Sequence, residues 1–302
     1  MAVDQNIYRG RFAPTPSGPL HFGSLVAATG SYLEARARCG EWQLRIDDLD
    51  PLRAAPGATE SILRCLEALG FEWDGPVIYQ SKRLAAYHAA LHRLRQFGVI
   101  YPCACSRKQI ADSPILGVEG PIYPGTCRGS LPPGRAARAL RVRVQGMHID
   151  FDDRLLGPQH RDLEREVGDF ILYRADGVYA FHLASAVDDG EYGVTDVVRG
   201  ADLLESSARQ IQLLRVLALP VPRYAHLPVA VDQHGEKLSK QTRAAPVDLM
   251  RPLVVLQAVL RFLNQPVPDE LCAATVPELW RYAIDRWDLQ RVGRRLHASA
   301  PG

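Results

Sequence analysis

The chain has 302 residues, 47% of them hydrophobic, so it can bury a substantial core and divide into two or three lobes. Its 36 basic and 34 acidic residues leave a formal charge of only +2; bulk charge announces no nucleic-acid binding, and any such contact must come from local patches. No apolar run approaches the ~20 residues of a membrane span and residues 1–10 lack a secretory pattern, which predicts a cytoplasmic protein with no membrane partner.

The first element is an alternating run, Ile7 to Phe12, that reads as a strand. A helical pattern from Ser24 to Arg38 follows, with Leu25, Ala28 and Leu33 at helical spacing. Between them lies Pro16-Ser-Gly-Pro-Leu-His21-Phe-Gly-Ser24, a turn in which Gly18 and Gly23 permit close backbone approach. Strand, turn and helix together aim the unpaired N–H groups of the helix at an anion in the crevice beyond the strand. His21 can donate a hydrogen bond to a phosphate there; taken alone, it is equally a surface histidine in an ordinary turn.

Trp42–Ile46 reads as a second strand, and Ala58–Gly70 and Lys82–Gly98 as helices, the rhythm of a parallel sheet with crossover helices. His88 and His92 stand four apart on the last helix beside a stripe of Leu84, Tyr87, Leu91 and Leu94. They read as a half-exposed face rather than a metal pair. Cys39 and Cys65 lie in helical patterns and read as small buried hydrophobes.

From Cys103 to about Tyr179 the rhythm breaks into Pro- and Gly-rich turns with short strands such as Ala139–Val144. Cys103-Ala-Cys105 opens this stretch, and Tyr123 and Cys127 follow. Three thiols brought together in a reducing compartment favour zinc over a disulfide. Spacing alone places a histidine or water ahead of a tyrosine as fourth ligand, because a phenol holds its proton to about pH 10. Such a site would be structural, tying an irregular insertion to the rest.

Strand and helix resume at Val197–Arg199 and Ser206–Leu217. A strand-like Leu227–Val231 then leads into Gln233-His-Gly-Glu-Lys237-Leu-Ser-Lys240. Two lysines three apart can converge on one triphosphate, although a short basic loop alone is usually solvated surface. Paired with the His21 turn across an α/β pattern, it reads as part of a nucleotide-activating core. Arg135–Arg143 and Arg286–Arg295 read as solvated faces, and the residues from about Pro246 as short helices broken at Pro252, Pro266 and Pro268.

In these residues the chain resembles the class I aminoacyl-tRNA synthetases. His21-Phe-Gly-Ser24 and Lys237-Leu-Ser-Lys-Gln241 stand where that family carries its two signatures. Arg11-Phe-Ala-Pro-Thr-Pro-Ser-Gly18, Leu44-Arg-Ile-Asp-Asp-Leu-Asp50, Val187-Asp-Asp189 and Gly193 to Asp202 are similar to its glutamate branch. The Lys-Leu-Ser-Lys-Gln form and the cysteine spacing resemble truncated members that glutamylate the queuosine of tRNA(Asp). The short stretch after Gln241 agrees, leaving no room for a separate anticodon-binding domain.

The resemblance implies an α/β fold: a Rossmann-type parallel-sheet catalytic core in two halves, 1–102 and 181–245. A zinc-binding, acceptor-type insertion would span 103–180 and a short helical C-terminal region 246–302. It implies ATP with Mg2+ as substrate, held by His21, Gly23, Ser24, Lys237, Ser239 and Lys240, with His21, Lys237 and Lys240 stabilising charge on the phosphates. L-glutamate would be held by Arg11, Phe12, Ala13, Pro14, Thr15, Asp47, Phe181 and Arg199. One structural zinc would be bound by Cys103, Cys105, Tyr123 and Cys127, the resemblance supplying the tyrosine. The partner would be queuosine-containing tRNA(Asp), bound by a monomer.

Two positions depart from the family. Asp47 stands where relatives usually carry Glu, one methylene shorter, and Phe181 where they usually carry Tyr, a hydroxyl poorer; a water or an inward-turned Tyr179 could fill the gap. Two other readings stay open: a minimal glutamyl- or glutaminyl-tRNA synthetase that charges the tRNA 3′ end, and a noncatalytic RNA-binding module. The Arg199 side chain could also be taken up by an ion pair with Asp202.

Overall fold

The computed structural model describes residues 7–118, 120–232, 235–237 and 247–300. The first part runs β1 (Arg9–Phe12), α1 (Phe22–Arg36), β2 (Glu41–Ile46), α2 (Ala58–Ala68), β3 (Ile78–Tyr79) and α3 (Leu84–Gln96). β1 and β2 pair in parallel with Phe12 opposite Leu44, and β2 and β3 pair in parallel with Ile46 opposite Tyr79, so helices make the crossovers. The alternation and the three helical patterns fall within two residues of where sequence reading put them.

The middle part runs β4 (Ile100–Cys103), α4 (Arg107–Ala111), β5 (Leu116–Gly117), β6 (Gly120–Pro121), β7 (Ala139–Val142), β8 (His148–Asp153), β9 (Gly157–Asp162), α5 (Leu163–Glu166) and β10 (Ile171–Tyr173). β7 lies between β4 and β10, antiparallel to both. The β8–β9 hairpin, which belongs by sequence to the irregular stretch, turns elsewhere: Asp153 at the end of β8 pairs with Tyr224.

The third part supplies α6 (Phe181–Glu191), β11 (Asp196–Gly200), α7 (Leu204–Val216), β12 (Arg223–Leu227) and β13 (Val229–Val231). β11 and β12 pair in parallel, with Arg199 opposite His226. The N–H of Thr195 donates to Arg9 O at 2.9 Å and the N–H of Arg9 to Thr195 Oγ1 at 2.8 Å, which sets the second strand group beside β1. Pro228, which has no N–H to give a ladder, divides the run read as one strand into β12 and β13. Gly30 lets α1 lie on β12: a Cβ there would fall 2.5 Å from Leu227 Cδ1.

The last part, α8 (Pro252–Phe262), α9 (Val276–Arg286) and β14 (His297–Ser299), is not purely helical. β14 pairs in parallel with β13. Three residues are too few for a period to show, so the sequence held no signal for it. A capping box of Thr275 and Glu278 starts α9. Trp280 on that helix packs its ring 4.9 Å from both Tyr32 and Phe71, which also contact Trp42. Two expectations fail at helix ends. Cys39 is exposed at positive φ just beyond α1, and Leu84, at the first position of α3, is 49% exposed.

Trp280 also donates its indole N–H to Leu69 O at 2.8 Å. Trp280→Ala is expected to cost about 3–5 kcal/mol, the range for removing a large buried aromatic. Urea unfolding checks this; a loss under ~1 kcal/mol would mean that α9 docks weakly.

Candidate active site

The parallel strands run in the order β3, β2, β1, then β11 and β12, so the winding reverses between β1 and β11. A crevice opens at the carboxyl ends of strands at such a switch point. Here it is a cavity of about 640 Å³. Every residue expected to hold glutamate lines it, as do His21, Gly23, Ser24 and Lys237. Ser239 and Lys240 lie outside the described residues.

His21 caps α1: its Nδ1 accepts from Ser24 N at 3.4 Å, which places the ring proton on Nε2. The first turn of α1, with its N–H groups, therefore borders the cavity. Lys237 reaches the same cavity from the far side and pairs with Asp202 at 2.6 Å. Asp202 is thus engaged by Lys237, and Arg199 makes no ion pair with it.

Beneath the cavity lies a layer of buried charge that sequence reading did not assemble. Arg11 donates from Nε and Nη2 to the two oxygens of Asp189, each at 3.3 Å. Arg45 reaches Asp189 at 2.7 Å from Nη1 and Asp47 at 2.7 Å from Nε. Asp188 accepts from Gln80, Tyr87 and Arg83 at 2.8, 2.9 and 2.6 Å. Burial pushes the Asp47 carboxyl up to about 6, with the Arg45 guanidinium opposing it. Burial also works against ionised Asp189, but Arg11 and Arg45 outweigh it and hold that carboxyl below its usual range.

Arg199 differs from Arg11 and Arg45. It is 5% exposed, and its acceptors are His226 Nε2, Gln210 Oε1, Ser207 Oγ and Leu203 O, none of them a carboxylate. Burial lowers its guanidinium to about 10. Phe181 stands 37% exposed at the cavity wall. Tyr179 does not line the cavity; it packs against Tyr87 and Tyr173 at centroid distances of 5.5 and 5.1 Å.

The end of β4 and the loop before β7 bring together Cys103, Cys105 and Cys127, whose sulfurs lie within 4.8 Å of one another and could hold a metal ion. The Tyr123 hydroxyl is 3.5 Å from Cys103 Sγ and 3.7 Å from Cys105 Sγ, and Cys105 Sγ is 3.7 Å from Cys127 Sγ. Arg141, on β7, lies 4.0 Å over the Tyr123 ring and donates to Cys103 Sγ at 3.4 Å. His88 and His92 are exposed on α3 and join no metal-ligand cluster among the described residues.

A doubly wound sheet with a capped helix and a lysine at its switch point, and a thiol-bearing lobe between its halves, is the catalytic fold of a class I tRNA synthetase. The chain belongs to the family of class I tRNA synthetases for E and Q, whose catalytic-domain model matches residues 8–253. A relative from Aromatoleum aromaticum named glutamyl-Q tRNA(Asp) synthetase is 56% identical, over 98% of this chain and 93% of its own length. Relatives of the same name from Chromobacterium violaceum and Neisseria meningitidis serogroup C are 52% and 47% identical. They cover 95% and 98% of this chain and 95% and 100% of their own. Among solved structures, a glutamate tRNA ligase from Elizabethkingia meningosepticum in complex with its amino acid superposes with a TM-score of 0.80 at 25% identity. The match covers 97% of this chain and 67% of that one.

No described helix is long and apolar enough to cross a membrane. Arg45→Met should leave Asp47 without its guanidinium and destabilise the fold by about 3–5 kcal/mol, as expected when one partner of a buried ion pair is removed. Chemical denaturation provides the check, and an unchanged midpoint would show the layer to be slack.

Proposed function

We propose that this protein activates L-glutamate with ATP and transfers it to the queuosine of tRNA(Asp), acting in the cytoplasm as a single chain. Arg199 carries the reading. It is a buried cation with no carboxylate partner, in a cavity that also meets the first turn of α1 and Lys237. Burying a charge is costly unless an opposite charge meets it, so the site is built for an anionic ligand. Relatives of 47–56% identity, matched over nearly their full length, share the name glutamyl-Q tRNA(Asp) synthetase.

In the first step a carboxylate oxygen of glutamate attacks the α-phosphate of ATP, the bond from that phosphorus to the α,β-bridging oxygen breaks, and pyrophosphate leaves; magnesium would come as part of the ATP substrate. The catalytic task is positioning and charge stabilisation rather than covalent catalysis. His21 donates from Nε2 toward the phosphates, while the α1 N–H groups beside Gly23 and Ser24 and the ammonium of Lys237 meet the rest of the charge. Ser239 and Lys240, by their place in the signature, join them. In the second step a hydroxyl of queuosine attacks the activated carbonyl; an ester forms and AMP leaves.

Arg199 anchors one glutamate carboxylate, and Asp47 pairs with the ammonium. Phe12, Ala13, Pro14 and Thr15 form the backbone wall, and Phe181 supplies a ring without a hydroxyl. Arg11, held by Asp189, shapes the floor.

Zinc is the metal we assign to Cys103, Cys105, Cys127 and Tyr123. Around a tetrahedral ion with Zn–S of about 2.3 Å, sulfurs stand about 3.8 Å apart and an oxygen about 3.5 Å from a sulfur. The separations of 3.7, 3.5 and 3.7 Å fit that set. Bound zinc would tie the segment from β4 to β7 together and takes no part in the two steps.

Labelled glutamate is expected to pass, with ATP, to queuosine-containing tRNA(Asp) and not to the same tRNA carrying guanosine. Label on both would favour 3′-end charging, and label on neither would sink the reading. In that assay Arg199→Gln should raise the KM for glutamate roughly 100-fold, the worth of a lost charge-assisted contact. Metal analysis should find one zinc per chain and less in Cys127→Ser; a content far below one in the parent protein removes the zinc assignment.

A further inference from the structure

Arginine has five N–H donors, and Arg199 uses four of them on the protein. Nε donates to His226 Nε2 at 3.2 Å, Nη1 to Gln210 Oε1 at 2.8 Å, and Nη2 to Ser207 Oγ at 2.8 Å and Leu203 O at 3.2 Å. The remaining N–H is on Nη1. The four bonds together fix the guanidinium plane, and the one from Nε is made to His226.

That bond exists only if His226 Nε2 carries no proton. The Arg199 Nε–H faces this nitrogen, and the Ser207 hydroxyl, which also lies 3.4 Å from Leu203 O, stands 3.1 Å from it. On the other side of the ring, Nδ1 lies 2.6 Å from Asp153 Oδ2, and both side chains are fully buried. Asp153 is in turn held by backbone: its Oδ1 accepts from the N–H groups of Leu155, Leu156 and His226 at 3.0, 2.8 and 3.3 Å. The β8–β9 hairpin lies against β12 at this point, with Asp153 opposite Tyr224.

We infer that Asp153 and His226 are positioning residues for glutamate recognition: Asp153 keeps the His226 proton on Nδ1, and the bare Nε2 holds Arg199 in the plane that receives a substrate carboxylate. The inference rests on the reading of Arg199 as the carboxylate anchor. Neither residue touches the substrate cavity. They act as an acid does when it sets a histidine tautomer for a neighbouring group.

Asp153→Asn tests this because the backbone dictates how asparagine must sit. The three N–H groups on Oδ1 claim the amide oxygen, so the amide NH2 faces His226 Nδ1. The ring proton then moves to Nε2, N–H against N–H with Arg199. The expected result is a rise in the KM for glutamate on the order of tenfold to a hundredfold, with the KM for ATP unchanged. A purely structural role would move both KM values and the melting temperature together. His226→Leu, which removes the acceptor without altering Asp153, should match Asp153→Asn. His226→Gln, which can offer an oxygen to Arg199, should recover part of the loss, and these two variants keep the test open if Asp153→Asn does not fold. If the glutamate KM stays within twofold in Asp153→Asn and His226→Leu while Arg199→Gln raises it, the positioning role is overturned and the anchor stands. If Arg199→Gln is also silent, the anchor itself is wrong.

Discussion

Three arginines and three aspartates meet under the substrate cavity, and the two halves of the catalytic sheet are joined through them. Arg11 comes from β1, Arg45 from β2 and Arg83 from just before α3; Asp188 and Asp189 come from α6, beyond the inserted lobe. Each charge is costly to bury alone, and the cost is offset only when all partners are in place. The layer ties α6 to β1 and β2 through Asp189, which accepts from both Arg11 and Arg45. Arg199 stands at its margin, a cation with no carboxylate bonded to it among the described residues.

Carboxylates on the protein would quench Arg199; neutral acceptors aim it instead. Gln210, Ser207, Leu203 O and His226 orient the guanidinium without cancelling its charge, whereas Asp189 cancels that of Arg11. Two arginines of one cavity thus differ in kind, a difference sequence cannot display. Asp47 is likewise tied to Arg45, which holds its carboxylate in a fixed place at the cavity.

The motifs were legible because they are local. His21 to Ser24 stand at the start of α1 and Lys237 shortly after β13, and the helical and strand periods around them fix the frame. The thiols were legible by their spacing, which left the tyrosine to be supplied by the resemblance. Asp153 and His226 were not legible: 73 positions apart, on a hairpin and a strand, they meet only because β8 pairs with β12. Arg45 was hidden in a strand-like run, where an inward-pointing charge looks like a gap in the pattern. β14 and the break at Pro228 were lost to shortness. Arg199 was found by family likeness, but the neutrality of its partners belongs to the fold.

Glu34, buried on α1, gathers donors from far along the chain. Arg154 beside the β8–β9 hairpin reaches its Oε1 at 2.5 Å, and the Trp287 indole reaches its Oε2 at 2.6 Å. Those partners are 120 and 253 residues away. α1 comes early in the chain, whereas Trp287, which donates to its buried carboxylate, and Trp280, which packs on Tyr32, come near the end. Contacts between residues so far apart in sequence cost more loop-closure entropy than local ones. The helix whose first turn borders the cavity is thus the one whose cover depends on the last segments of the chain.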